Sequence, residues 1–91
     1  MKESQYQKKI SDKLEKQGYY VIKLIKTNKN GIPDLIAIKE NNTIFVEVKT
    51  EKGVLSELQK FRLTELTAKG FECYYSNKTE LIRWLNEDTI K

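Results

Sequence analysis

Two short runs of β-forming residues, separated by a turn, limit what this chain can fold into more than any other feature. The runs are DLIAIK (34–39) and IFVEVKT (44–50), with residues 40–43 between them. Both runs are rich in β-branched residues, and asparagine tolerates the positive φ that a tight hairpin turn needs. We therefore predict a β-hairpin that turns at Asn41 and Asn42.

The predicted turn determines which side chains of the hairpin face one another. Counting outward from it places Lys49 opposite Asp34, and Glu47 opposite Ile36. Directly opposed side chains share one face of a sheet, whereas a slip of one residue would move them to opposite faces. We therefore predict that Asp34, Glu47 and Lys49 converge at one end of one face. The opposite face receives the apolar residues Ile44, Val46 and Val48.

Two carboxylates beside a lysine suggest a cation site. The carboxylates of Asp34 and Glu47 would lie close enough on this face to repel each other unless a positive charge lay between them. Mg²⁺ suits such a place because it prefers hard oxygen ligands. A metal held there polarises a phosphate and generates hydroxide from water, while Lys49 orients that water or stabilises developing charge. An exposed Asp–Lys–Glu cluster, which is common on sheet surfaces, is the alternative that geometry alone leaves open.

The segments around the hairpin predict further helices and strands. Apolar residues recur every four positions within residues 4–17, which is typical of an amphipathic helix, and residues 19–26 are β-branched and aromatic. After the hairpin, Ser56 and Gln59 form a capping-box signature for a helix that ends near Gly70. A strand at 71–76 follows. A last helix then begins near Asn77 and Glu80 and carries Leu81, Ile82, Trp84 and Leu85.

The resulting order, αβββαβα, predicts one α/β domain over residues 1–91, with a mixed four-stranded sheet flanked by helices. Residues 44–48, the helix after them and residues 71–75 form a crossover, so these two strands should be parallel. No apolar run approaches the ~20 residues that span a bilayer, and the first residues lack an apolar signal core. With Cys73 as the single cysteine, we expect a cytoplasmic protein.

The distribution of charge favours a polyanionic partner. Residues 1–30 hold eight lysines and three acids, whereas the rest of the chain holds nine basic residues and ten acids. Lys23, Lys26 and Lys29 are candidates for phosphate contacts; solvated lysines are the alternative. Because the chain has no histidine and one cysteine, nucleases with a histidine base are excluded, as are zinc sites that need histidine or several cysteines.

A family resemblance rests on two motifs. GIPDLIAI (31–38) followed by FVEVKT (45–50) resembles the paired signature of PD-(D/E)XK nucleases. Glu3 and Gln7 in the first helix, KTNKNGIPD (26–34) and SELQ (56–59) narrow the resemblance to VRR-Nuc, the virus-type replication–repair nuclease domain. It covers nearly the whole chain, in a free-standing, phage-like form. It implies a restriction-endonuclease-like core in a protein of a bacterium or phage-infected cell.

The resemblance also implies a role for each matching residue. Asp34 and Glu47 match the metal-binding acids, the backbone carbonyl of Val48 is a further ligand, and Lys49 matches the catalytic lysine. Mg²⁺ is the implied cofactor, with Mn²⁺ able to substitute for it, and no small-molecule cofactor or membrane is involved.

Two more residues match the family and have structural alternatives. Glu3 matches the acid of the first helix; it precedes Ile10 by seven residues, about 20° off its face, so it should point inward. A favourable acid at a helix N-terminus is the alternative. Gln59 matches the glutamine that helps complete the site. It also belongs to the capping box with Ser56, and we expect its side chain to serve only one of these roles at a time.

We therefore expect a metal-dependent DNA endonuclease that recognises DNA structure rather than sequence. A homodimer acting on branched DNA, in the manner of a four-way junction resolvase, is the leading hypothesis. Three alternatives remain: a nucleic-acid-binding module with the same fold and no catalysis, a monomeric nuclease for flaps or single strands, and an unrelated α/β interaction domain.

Overall fold

The computed structural model describes residues 1–85, which form two helices and one five-stranded sheet. Helix α1 spans Glu3–Lys16 and helix α2 spans Glu57–Ala68. The strands are β1 (Tyr20–Lys23), β2 (Leu35–Lys39), β3 (Asn42–Glu47), β4 (Glu72–Asn77) and β5 (Glu80–Arg83). They lie side by side in chain order. Among residues 1–85, no helix is both long enough and apolar enough to cross a membrane.

Helix α1 covers one face of the sheet. Its apolar stripe, Tyr6, Ile10 and Leu14, is buried in a single cluster with residues of β2 and β3 and of the segment just after β3. These partners are Leu35, Ala37, Ile44, Val46 and Val48. Burying a side chain such as Ile10 stabilises a fold by about 1.5–3 kcal/mol, so this stripe anchors the helix.

Helix α2 lies over the opposite face, against β4. Cys73 pairs in register with Phe45, whose side chain alternates with the core residues Ile44 and Val46, so Cys73 points away from α1. Cys73 is fully buried next to Thr67 of α2, and this burial raises the pKa of its thiol. The sheet is therefore flanked by a helix on each face, as the sequence predicted.

The strands β3 and β4 are parallel, which confirms the predicted crossover. All other neighbouring strands are antiparallel. The crossover brings the carboxyl ends of β3 and β4 to the same edge of the sheet. At this edge Glu47 pairs with Tyr75 in the parallel register.

The turn between β2 and β3 lies one residue earlier than predicted. Lys39 pairs with Asn42, so the turn consists of Glu40 and Asn41, and Asn41 adopts a φ of 61°. A single asparagine in the left-handed region is therefore sufficient, and the second one pairs within the strand.

This earlier turn shifts the pairing of the hairpin by two residues. Ile36 faces Phe45 rather than Glu47, and the next position outward sets Asp34 against Glu47 rather than against Lys49. Because side chains alternate with a period of two residues, a shift of two leaves every side chain on its predicted face. The predicted pairs were wrong, but the predicted face was correct.

The chain after β4 forms a strand where we predicted a helix. It turns at Lys78, which has a φ of 62°, and β5 returns antiparallel to β4 with Tyr75 opposite Ile82. A short helix would form few hydrogen bonds, whereas β5 pairs with the open edge of β4 and packs Leu81 against the core. The predicted last helix is wrong for residues 80–85, because residues 80–83 form β5 and Trp84 and Leu85 lie in no helix. Any residues of that helix from 86 onward lie outside the described part of the chain.

Candidate active site

Three carboxylates from three segments meet at one end of the sheet. Glu3 begins α1, Asp34 immediately precedes β2 and Glu47 ends β3. One oxygen of each lies within 4.8 Å of the others. The structure therefore brings together the two acids predicted from the hairpin and the acid of the first helix.

The carboxylate of Asp34 is held by the backbone of the strand opposite. Its Oδ2 accepts a hydrogen bond from the amide of Val48 at 2.8 Å. The carbonyl of Asp34 accepts another, from Leu24, at 2.8 Å, which prolongs the pairing of β1 with β2. Both contacts fix the orientation of Asp34 toward Glu47.

Glu47 is buried, with 2% of its surface exposed. Burial, and then the negative charge of Asp34, raise the pKa of Glu47 to about 9, while Lys49 acts in the opposite direction. At neutral pH and without a cation, this carboxyl group therefore holds a proton. The three carboxylates can all be ionised together only when a positive ion lies beside them. Because their oxygens are hard donors, they fit a divalent cation such as Mg²⁺.

Lys49 lies next to this group of acids. Its Nζ is 3.7 Å from Oε2 of Glu47, and its side chain is largely shielded from solvent. The Lys49 amide donates to Oγ of Ser76 at 2.7 Å, and the same hydroxyl donates to the Lys49 carbonyl at 3.2 Å. Ser76 on β4 thus fixes the backbone that carries the lysine.

Gln59 contacts both of the partners that we expected it to choose between. Its Nε2 donates to Oε2 of Glu47 at 3.3 Å, while its Oε1 accepts from the amide of Ser56 at 2.9 Å. The backbone amide of Gln59 donates to Oγ of Ser56 at 3.1 Å, which completes the capping box. The expectation that the side chain alternates was wrong, because the two ends of one amide group reach the two partners at once.

Helix α2 also positions the turn that leads to Asp34. Arg62 donates from Nε to the carbonyl of Asn30 at 2.8 Å. The next residue, Gly31, has a φ of 80°, and a Cβ there would lie 2.7 Å from Cγ of Leu58. Glycine is needed at this point for both its backbone angle and its closeness to the helix.

A contact that sequence reasoning missed ties α1 to the segment after β3. The hydroxyl of Tyr6 donates to Oε2 of Glu51 at 2.6 Å. This hydrogen bond raises the pKa of Tyr6 and lowers that of Glu51. Tyr6 lies one helical turn after Glu3, so the bond helps to hold the N-terminus of α1 at the site.

Two of the three candidate lysines lie beside Asp34. Lys26 and Lys29 line a cavity of about 480 Å³ that also includes Asp34. Lys23 is on β1, paired with Leu35, and does not line that cavity. All three side chains are exposed. Val48 contributes a buried side chain to the core and its amide to Asp34.

The chain is similar to known proteins in family and in fold. The family profile of the VRR-NUC domain matches residues 2–77. Among solved structures, the Holliday junction resolvase Hjc of Archaeoglobus fulgidus is similar with a TM-score of 0.67 and 22% sequence identity. That similarity covers 82% of this chain and 67% of the resolvase chain, and it shows a shared restriction-endonuclease-like fold. No curated protein sequence matches the chain significantly.

Proposed function

Because this chain belongs to the VRR-NUC family of nuclease domains, we propose that it is a metal-dependent endonuclease that hydrolyses phosphodiester bonds in DNA. The observation that carries the proposal is the group of three carboxylates, Glu3, Asp34 and Glu47, with the ammonium of Lys49 beside it. Grouped acids repel the phosphates of DNA, so they do not help a protein that only binds DNA. They become useful when a cation joins them to the phosphate that is cut.

In this proposal Asp34 and Glu47 hold Mg²⁺, or Mn²⁺ in its place, together with Glu3 and the carbonyl of Val48. When bound, such a cation polarises the scissile phosphate and lowers the pKa of a coordinated water. Lys49 is close enough to Glu47 to orient the attacking water and to stabilise negative charge on the phosphate.

The basic residues next to the site suggest how DNA is held. Lys26 and Lys29 share a cavity with Asp34, so they are placed to contact the phosphates on one side of the scissile bond. Lys23 lies on the adjacent strand and extends this basic surface. Contacts of this kind position a DNA backbone without identifying its sequence, which supports selection by DNA structure.

We further propose that the enzyme cuts four-way junctions as a homodimer. A solved protein with the same fold, from Archaeoglobus fulgidus, is a Holliday junction resolvase. On the side of the sheet away from α1, β1 and β2 expose Tyr20, Ile22 and Ile38 to 70%, 40% and 37%. A second copy of the chain would cover these apolar side chains, and a two-fold dimer would present two sites related by the symmetry of a junction.

The test is a cleavage assay on labelled linear duplex, single-stranded, flapped and four-way DNA. We expect cleavage with Mg²⁺ or Mn²⁺, little or none with Ca²⁺ or EDTA, and paired symmetric nicks in four-way junctions. Cleavage that persists in EDTA would exclude the metal mechanism. Tight DNA binding without cleavage under any condition would favour a binding module, and a preference for flaps by a monomer would exclude the resolvase assignment.

A further inference from the structure

A second cavity adjoins the site on the side of Lys49. It measures about 540 Å³, within the ~300–1,000 Å³ that is usual for ligand pockets. Its walls come from the segment after β3, from α2 and from the β4–β5 hairpin, and include Lys49, Lys60, Tyr75, Asn77, Ile82 and Trp84. It shares no lining residue with the lysine-rich cavity at Asp34.

Two aromatic rings form one wall of this cavity. Tyr75 and Trp84 meet edge to face, with ring centroids 6.2 Å apart and an angle of 76° between the planes. Trp84 is fixed by two hydrogen bonds, from Nε1 to the hydroxyl of Thr64 at 3.2 Å and from its amide to the carbonyl of Cys73 at 2.8 Å. The aromatic wall is therefore held in place before any ligand arrives.

The register of the sheet places this wall next to the acids. Tyr75 on β4 pairs directly with Glu47 on β3, so the two side chains point to the same face. Lys49 lines the cavity and also approaches Glu47 at 3.7 Å. A phosphate at the acids would therefore set the adjoining nucleotide at the mouth of the cavity.

We propose that this cavity binds the base of an unpaired nucleotide next to the scissile phosphate. Aromatic rings stack on any base regardless of sequence, Lys49 and Lys60 supply positive charge for the neighbouring phosphates, and Asn77 offers an amide to the edge of the base. Glu51 also lines the cavity, but its carboxylate accepts the hydrogen bond from Tyr6.

This inference rests on the proposed nuclease function and narrows its substrate. A base within a continuous duplex is already stacked and paired, so it must first be unstacked and unpaired before it can enter the cavity. A nucleotide in a single strand enters without this cost, and a pair at a branch point, where the regular stack of the duplex is interrupted, opens more readily than one inside a duplex. The cavity thus selects DNA in which a nucleotide beside the cleavage point is unpaired.

Trp84 offers a direct readout because it is the only tryptophan in the chain. We expect a short oligothymidylate, titrated in EDTA, to quench the fluorescence of Trp84. A strand of the same length with abasic residues should not quench it and should bind roughly tenfold or more weakly, since it lacks a stacking contact. A blunt duplex should quench little. Equal quenching by thymidylate, abasic and duplex DNA would overturn the proposal.

Variants separate stacking from general effects on the fold. Trp84→Phe keeps an aromatic ring, whereas Trp84→Leu keeps only apolar volume; binding is followed by the anisotropy of labelled strands. Trp84→Leu leaves only the ring of Tyr75 and should lose most of the preference for thymidylate over abasic strands, whereas Trp84→Phe should keep it. If Trp84→Leu fails to fold, the pair Tyr75→Leu and Tyr75→Phe makes the same comparison. A leucine variant that retains the full preference would overturn the proposal.

Because these measurements need no cleavage, they are independent of the nuclease assignment. A protein that cuts DNA but shows no base-dependent quenching would keep the proposed function and lose this assignment of the cavity. Base-dependent quenching without cleavage would support the assignment of the cavity and contradict the proposed nuclease function.

Discussion

Glu47 lies close to every other side chain of the proposed site, so its replacement has several effects at once. Its oxygens lie near those of Asp34 and Glu3, and Oε2 approaches both Lys49 and Gln59. Without the carboxylate, the cation loses a ligand and the lysine loses its nearest negative partner. Asp34 has fewer contacts, but its carboxylate is also held in one orientation, by the hydrogen bond from the amide of Val48.

Asp34→Ala or Glu47→Ala should abolish cleavage and leave a folded protein that binds DNA. Each change removes a proposed metal ligand, and the lysines that contact phosphate remain, so DNA binding measured in EDTA should persist. Asp34→Ala also removes a negative charge and should bind DNA at least as well, whereas Glu47 already holds a proton without metal, so Glu47→Ala should leave binding unchanged. Lys49→Ala should slow cleavage by on the order of 10²–10³, the usual effect of losing one charge-stabilising group. Single-turnover rates and anisotropy measure both properties, with Lys13→Ala on α1 as a control. Near-normal turnover in any of the three variants would place the site elsewhere.

The raised pKa of Glu47 predicts how stability depends on pH without metal. The folded protein keeps the Glu47 proton up to about pH 9, whereas the unfolded chain releases it near 4.5. Between these values the folded state binds more protons, so the free energy of unfolding should fall as pH rises. Urea unfolding in EDTA measures this free energy. The range from about pH 5.5 to 8 lies above the titration of ordinary carboxylates and below that of the Cys73 thiol.

Glu47→Gln supplies the control for that experiment, because it keeps the size of the side chain and cannot titrate. Its free energy of unfolding should fall less over the same pH range than that of the unchanged protein. Identical pH profiles would mean that the Glu47 carboxyl titrates normally in the folded state.

The N-terminus of α2 combines a structural and a functional task. Ser56→Ala removes only the cap and should lower stability by about 1 kcal/mol, with little change in the cleavage rate. Gln59→Ala removes the return hydrogen bond to Ser56 and also the contact with Glu47. It should therefore slow cleavage at saturating Mg²⁺ as well as lower stability. Unfolding curves and single-turnover rates, compared between the variants, test this; equal losses of rate would show that Gln59 acts only as a cap.

The strands and helices could be predicted where local pattern alone determines them. The alternation in residues 44–48 identified the buried face of β3, and the capping box identified the start of α2. The hairpin register was wrong by two residues because either asparagine can take a positive φ. The β5 strand was missed because its pairing with β4 depends on an open sheet edge that a local sequence window does not reveal.

The candidate site was likewise predictable where its residues are close in the chain, and not where they are distant. Asp34, Glu47 and Lys49 could be grouped from the sequence, since they belong to one hairpin. Ser76 and the bond between Tyr6 and Glu51 could not, because they join segments that are distant in the chain. A signal for Ser76 existed, since it ends a strand predicted to lie parallel to the strand of Lys49.

At the scale of the molecule, the described residues expose an apolar surface on β1 and β2, and we propose that a second copy of the chain covers it. We expect light scattering at micromolar concentration to give about twice the chain mass of 10.7 kDa. Ile22→Glu places a charge within the exposed surface of β1 and should give a monomer that no longer makes paired nicks. Lys13→Glu, on α1 across the sheet, is the matched acidic control. A dimer that survives Ile22→Glu would mean that the copies meet through another surface.

The segments that build the site leave the ribosome at very different times. Glu3 emerges before the other residues of the site, whereas Ser76, which holds the backbone of Lys49, follows 27 positions after that lysine. Until β4 has emerged, β3 lacks its parallel neighbour and the lysine lacks its support. A nascent chain therefore lacks the complete proposed site until β4 has left the ribosome, and we expect no cleavage of nucleic acid before that point.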